Sequence, residues 1–208
     1  EISCSLVGSE MCIRDSFYTY ISTLYDTMAA CARLGIDYVV LDRPNPISGV
    51  RVGGPVLDPR FASFIGRQAI PIQHGMTVCE LASLFNACFI PTISGRSVRL
   101  RNITMTGWTR DMFFDQTGLP WIPPSPNMPT LQTAIAYPGT CMFEGTNLSV
   151  GRGTAMPFLY LGGPKLDATA WRDRMGQSGL AGGAFREGAF SPAAFVDQGG
   201  MDHGVQVI

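Results

Sequence analysis

Between Trp121 and Phe158 the chain reads WIPPSPNMPTLQTAIAYPGTCMFEGTNLSVGRGTAMPF, which sets Asn127, Glu144, Asn147, Ser149 and Arg152 among prolines and glycines. Proline fixes φ and removes a backbone donor, while glycine admits φ > 0 and close backbone approach. Polar side chains on loops stiffened this way are held in place without being buried, the arrangement by which a scaffold presents groups to a polar ligand. A carboxylate in such a setting can serve as general acid, general base or nucleophile. Glu144 follows the apolar triplet Cys141-Met142-Phe143 and precedes Gly145-Thr146-Asn147. Two readings of it stand open: a reacting carboxylate, or the ion-pair partner of Arg152 that organises the loop.

A second group follows the apolar run DYVVLD (37–42), which ends on Arg43-Pro44-Asn45-Pro46. The prolines stop any strand ladder, so Asp42, Arg43 and Asn45 project from a strand's C-terminal edge, where open α/β sheets bind ligands. They either contact a ligand or tie the loop down. Thr77 and Glu80 have capping-box spacing, which gives Glu80 a structural use. His74 precedes that helix, whose dipole favours the neutral ring and so a hydrogen-bonding or proton-shuttling role. Tyr18, Tyr20, Trp108 and Trp121 offer faces that pack on C–H-rich rings such as sugars, or simply fill the core. The chain has no GxxxxGK[ST] and no GxSxG, and its GRGTAM lacks the third glycine of a dinucleotide loop. An acyl hydrolase built on Ser125 and His74 would need the two side chains within hydrogen-bond reach.

The elements that must hold these groups can be read from periodicity. Ile21, Leu24, Tyr25, Met28, Cys31 and Ala32 predict a helix that Gly35 terminates. DYVVLD predicts a strand buried on both faces. TVCELASLFNA predicts a helix, SVRLRNITM (97–105) a strand and TLQTAIAY a short helix. CMFEG (141–145) and PFLYLG (157–162) read as strands, DATAWRDRMGQSG as a helix capped by Asp167, and the last thirty residues as irregular or β. Helix followed by buried strand indicates α/β winding. A composition change at Tyr137-Pro138-Gly139 marks the expected domain boundary, with domains at 17–138 and 139–208.

Composition limits the partners. With 208 residues, 46% hydrophobic and 15% charged, the chain can bury a sizeable core. Its net charge of −1 and lack of a basic run argue against a nucleic-acid surface. No apolar run reaches the roughly 18 residues of a membrane helix. The six cysteines form no CxxC pair and only two histidines are present, so a zinc site is not expected and scattered buried thiols are.

LDRPNPISG, GGPVLDPRFASFIG, IPIQHGMTVCELASLFN, WIPPSPNMPT, YPGTCMFEGTNLSVGRGTAMPF and the closing GVQVI together resemble the YbbC/NamZ family, formerly a domain of unknown function (DUF1343). The resemblance runs from about Phe17 to Ile208, with the motifs in family order. It implies an α/β fold: a Rossmann-like parallel sheet, incomplete here, followed by a smaller mixed α+β domain, with an active cleft between them. It implies an exo-β-N-acetylmuramidase of peptidoglycan turnover, removing terminal N-acetylmuramic acid from muropeptide saccharides, without metal or nucleotide cofactor, in the periplasm or secreted. Family polar positions fall on Arg43, Asn45, His74, Glu80, Asn127, Glu144, Asn147 and Arg152. On this reading Glu144, Glu80 and His74 serve bond cleavage, while Arg43, Asn45, Asn127, Asn147, Arg152 and Tyr20 bind substrate. The alternative of another class is a non-catalytic envelope protein that binds muropeptide sugars.

One departure stands out. The family's upstream Glu-His-Gly segment and Asp-rich strand are not found, and residues 1–16 read as a non-native junction. The chain is therefore expected to be a fragment that is itself inactive, with an unpaired sheet edge and exposed apolar surface.

Overall fold

The computed structural model describes residues 19–208; the junction expected at 1–16, Tyr18, Cys4 and Cys12 lie outside the described residues. The chain divides into two compact units, one ending at Trp121 and the other running from Ile122 to Ile208. The composition change at Tyr137-Pro138-Gly139 falls inside a helix of the second unit.

In the first unit, α1 (Tyr20–Leu34) forms where apolar residues recur on one face, burying Ile21, Tyr25, Met28, Ala29 and Ala32. Gly35 ends it at φ 73°, its N–H bonded back to the last turn. The chain then enters β1 (Tyr38–Leu41), which pairs in parallel with β4 (Leu100–Ile103), Tyr38 lying opposite Leu100 and Leu41 opposite Ile103. The expectation of a strand buried on both faces is corrected here. Tyr38 and Val40 enter the core, but Val39 and Leu41 are 42% and 54% exposed. Side chains alternate across a strand, and the packed helices fill one face only. Ile103 on β4 shares the open face with them, so the expected exposed apolar surface is present.

Two further strands, β2 (Gly53–Val56) and β3 (Pro71–Gln73), make an antiparallel ribbon. The sequence did not signal it, because Gly-Gly-Pro and an opening Pro are poor strand formers. Next, α2 (Val78–Leu84) carries Thr77 at its N-cap with the full capping box to Glu80. The helical path widens into a π-turn at Phe85–Phe89 and resumes as α3 (Ile90–Ser94). That turn presents Asn86, whose Nδ2 donates to the Val98 carbonyl at 3.0 Å while its Oδ1 accepts the Val98 N–H at 2.8 Å. One side chain thus pins the approach to β4. Met28, Leu81, Phe85 and Ile90 at the centre are at most 1% exposed, and Tyr25 meets Phe85 edge-to-face at 5.4 Å.

In the second unit, α4 (Leu131–Thr140) starts at the Thr130 cap, which accepts the Thr133 N–H at 3.3 Å. The segment CMFEG, expected as a strand, continues α4 as a 3-10 turn at Cys141–Gly145. Three apolar residues are too few for periodicity to separate strand from helix, and the preceding helix decides. The remaining elements are β5 (Tyr160–Gly163), α5 (Ala168–Gln177) capped by Asp167, β6 (Phe185–Phe190) and β7 (Asp202–Val207). The strands form one antiparallel sheet in the order β5-β7-β6, so the closing GVQVI lies in its central strand. Gly162 faces Gly204 across β5 and β7. A Cβ on Gly204 would stand 2.0 Å from the Leu161 carbonyl oxygen, so this contact admits only glycine.

Two substitutions test the two cores. Leu81→Ala should cost about 2–5 kcal/mol by removing fully buried atoms, and Gly204→Ala at least about 1–3 kcal/mol by overpacking. Urea unfolding followed by circular dichroism reads both, and a loss under about 0.5 kcal/mol would contradict the packing described.

Candidate functional site

Polar groups gather at the C-terminal ends of β1 and β4, the edge at which parallel sheets present ligands. Asp42 is the centre. Its Oδ1 accepts the N–H of Arg43 at 3.0 Å and of Cys79 at 2.9 Å, and its Oδ2 accepts the Thr77 hydroxyl at 3.1 Å. A carboxylate at a helix N-terminus satisfies orphan donors and complements the dipole. Two cavities meet beside it, sharing Asp42, Met105 and Trp108 in their linings. One, about 300 Å³, adds Arg43, Pro44 and Gln116. The other, about 480 Å³, adds Thr77, Glu80, Ser83, Asn102 and Thr104.

The residues expected to act in this unit separate by what already holds them. Glu80 lines the larger cavity, but one carboxylate oxygen accepts the Thr77 N–H at 2.9 Å and the other is paired with Arg110. Arg110 also donates to the Gly75 carbonyl at 3.0 Å. Asn45 is fully buried, its Nδ2 on the Met76 carbonyl at 3.2 Å and its Oδ1 on the Ile47 N–H at 3.2 Å. Its amide is spent on the loop, which favours the loop-tying reading over ligand contact. His74 is 3% exposed, and its Nδ1 accepts the Met76 N–H at 3.1 Å, which places the proton of the neutral ring on Nε2. Arg43 lines the smaller cavity, whereas Tyr20, the first residue of α1, lines neither cavity. Of the candidate aromatics, Trp108 lines both cavities and Trp121 packs edge-to-face on Phe114 at 5.3 Å.

The second unit brings together the loop residues of 127–158. Arg152 Nε donates to Glu144 Oε1 at 2.5 Å. Asn127 Oδ1 accepts the Gly153 N–H at 3.2 Å, fastening the loop that carries Arg152. The guanidinium carbon lies over two rings, 4.8 Å from the Phe158 centroid and 4.7 Å from that of Phe195. Glu144, Ser149, Arg152 and Phe195 line a small cavity of about 60 Å³. Asn147 is exposed on the neighbouring turn. Ser125 and His74 belong to different units.

Two family models match in order, described as the N-terminal part of exo-β-N-acetylmuramidase NamZ over residues 13–132 and its C-terminal part over 135–208. The chain belongs to the NamZ family. It is 45% identical over 191 residues to the peptidoglycan β-N-acetylmuramidase NamZ of Bacillus subtilis strain 168, an alignment covering 92% of this chain and 45% of that protein. Two solved DUF1343 family proteins from Bacteroides fragilis share the fold. One has a TM-score of 0.89 at 33% identity, covering 96% of this chain and 51% of its own. The other has a TM-score of 0.74 at 32% identity, covering 93% and 50%. The chain spans about half the length of these relatives.

Sequence reasoning named Asp42 without seeing that it caps α2, and missed Arg110, Phe158, Phe195 and Asp202. Arg110 and Phe195 meet partners far along the chain, so no local spacing marks them. Among the described residues the cysteines Cys31, Cys79 and Cys141 are buried, while Cys88 is exposed. No helix among them is long and apolar enough to cross a membrane.

Asp202 opens β7 at zero exposure, and neither Oδ atom has a hydrogen-bond partner of good geometry. Burial pushes its carboxyl above the usual range and the charge of Asp197 adds to this, while the Ser149 hydroxyl and His203 pull back. The fold therefore holds the Asp202 proton more tightly than the unfolded chain does. The stability it contributes is complete below the ordinary carboxylate range and declines as pH rises through and above it. Asp202→Asn should abolish that decline and raise the Tm at neutral pH, by about 2–4 °C per kcal/mol relieved. Thermal melts of both proteins between pH 4 and 8 check this; parallel pH profiles would remove Asp202 as the cause.

Proposed function

We propose that the protein of which this chain forms part is a glycosidase that removes terminal N-acetylmuramic acid from peptidoglycan fragments, acting outside the cytoplasmic membrane where that polymer lies. The observation that carries the reading is the match along nearly the whole chain to a relative named for that activity, with both family segments in order. The residues agree chemically with such a substrate. Muramic acid carries a carboxylate, and Arg152 is a fork whose Nη groups make no hydrogen bond to any described residue. Trp108, in the lining of both cavities of the first unit, offers a ring face for a pyranose.

In this reading Glu144 is a reacting or charge-placing carboxylate, and Arg152, Asn127 and Asn147 grip the sugar. Asp42 and Glu80, fully engaged by their own chain, give the first unit its shape, and His74 supports the loop between them. Glycoside hydrolysis ordinarily uses two carboxylates.

The test is release of N-acetylmuramic acid from a chromogenic β-muramide by the full-length protein. Glu144→Gln should lower kcat by about 10²–10⁴ if the carboxylate transfers a proton in the reaction. Unchanged turnover would leave Glu144 as the partner of Arg152 alone, and muropeptide binding without any turnover would make the full-length protein a sugar-binding protein rather than an enzyme.

A further inference from the structure

Four non-glycine residues among those described hold a left-handed φ: Ser48, Phe158, Phe195 and Asp197. Two of the four are the phenylalanines that flank the Arg152 guanidinium, at φ 63° and 66°. A bulky side chain in that region is strained, and glycine would satisfy the backbone more easily. Such strain persists only where the surroundings require it, and it concentrates at ligand clamps and active sites. For Phe158 burial is reason enough: it is 1% exposed and packs edge-to-face on Tyr137 at 4.7 Å. Phe195 is different. It is 70% exposed on the loop between β6 and β7, so core burial does not account for it. The described partner of its ring is Arg152.

The consequence is a guanidinium with few degrees of freedom left. Two rings lie within 4.8 Å of its carbon and Glu144 holds its Nε edge at 2.5 Å. The Nη edge stays open beside the cavity that Ser149 and Phe195 also line. A planar fork fixed in orientation, with two parallel donors unspent, matches a carboxylate in bidentate geometry, and prior immobilisation lowers the entropy lost on binding.

We propose that Phe195 is a specificity-determining residue, which clamps Arg152 against Phe158 so that the open edge of the guanidinium selects a sugar bearing a free carboxylate. The identity of the sugar, with the lactyl ether of N-acetylmuramic acid supplying the carboxylate, rests on the muramidase reading; the clamp itself does not.

The test measures binding to this 208-residue chain by calorimetry with four probes: N-acetylmuramic acid, its methyl ester, N-acetylglucosamine and lactate. The wild type should prefer the acid over the ester by roughly tenfold or more, the discrimination expected of a charge-assisted pair. Phe195→Ala should collapse that ratio toward one, and Phe195→Tyr should restore it. Phe195→Gly removes the ring and the backbone strain together, so it should melt no lower than wild type yet lose the discrimination. A ring that served only to order the loop would leave the acid-to-ester ratio unchanged in all three variants. Acid and ester binding equally well to the wild type, or Phe195→Ala keeping the preference, overturns the clamp while sparing the muramidase reading. Lactate binding that depends on Phe195, with neither N-acetyl sugar bound, keeps the clamp and removes the muramic acid assignment. Failure of all four probes to bind removes both.

Discussion

The first unit depends on one carboxylate. Asp42 directly follows β1 and takes the N–H of Cys79 and the hydroxyl of Thr77, so the residue that leaves the strand is also a cap for α2. A helix N-terminus leaves orphan donors and a partial positive charge, and Asp42 answers both from a neighbouring element. Strand and helix are thereby fixed at the point where parallel sheets bind ligands. Glu80 sits one turn into α2 because Thr77 is held where Asp42 holds it, and Arg110 can reach both Glu80 and Gly75 because the loop before α2 is fixed in turn. The buried Asn45 and His74 extend the same logic: both are bonded to the backbone of Met76.

The second unit solves a similar problem without a helix cap. Its loop at 151–153 is fastened from outside itself, by Asn127 on Gly153 and by Glu144 on Arg152. The ion pair is partly shielded, with side-chain exposures of 21% and 33%. Pairs in open water contribute little, so its value lies in orientation more than in stability. Around the pair the chain accepts strained backbone at both flanking phenylalanines, a cost that recurs where geometry is needed.

Much of this was legible in the sequence where the determinants are local. Thr77 with Glu80, Gly35 and Asp167 acted as caps and terminators because capping depends on neighbours within four residues. The strand at 38–41 was also visible, but not that one of its faces is open, since that is set by what packs on it rather than by the strand. CMFEG failed as a strand for a related reason: the helix before it imposed its own geometry on a run too short to resist. At the candidate site, the pairing of Glu144 with Arg152 was an open alternative at a spacing of one short loop. Phe195 could not be read at all, because the sequence between it and Arg152 contains two strands and a helix whose return path no pattern announces.

What separates scaffold from ligand-facing chemistry here is unspent hydrogen-bonding capacity. Asp42 accepts three hydrogen bonds from its own chain and Glu80 is bonded through both oxygens, so a substrate competing for them would have to displace contacts that position α2. Buried donors and acceptors are costly to leave unmade, and such groups resist exchange. The exposed turn of Asn147 and the Nη edge of Arg152 carry no such obligation among the described residues, although Arg152 is already oriented by three neighbours. A group that is fixed but unsatisfied is the pre-organised half of a recognition event, because the order has been imposed before the ligand arrives. By that criterion the unspent donors of the second unit contrast with the polar network of the first, whose groups are taken up in framing the cavities at its sheet edge.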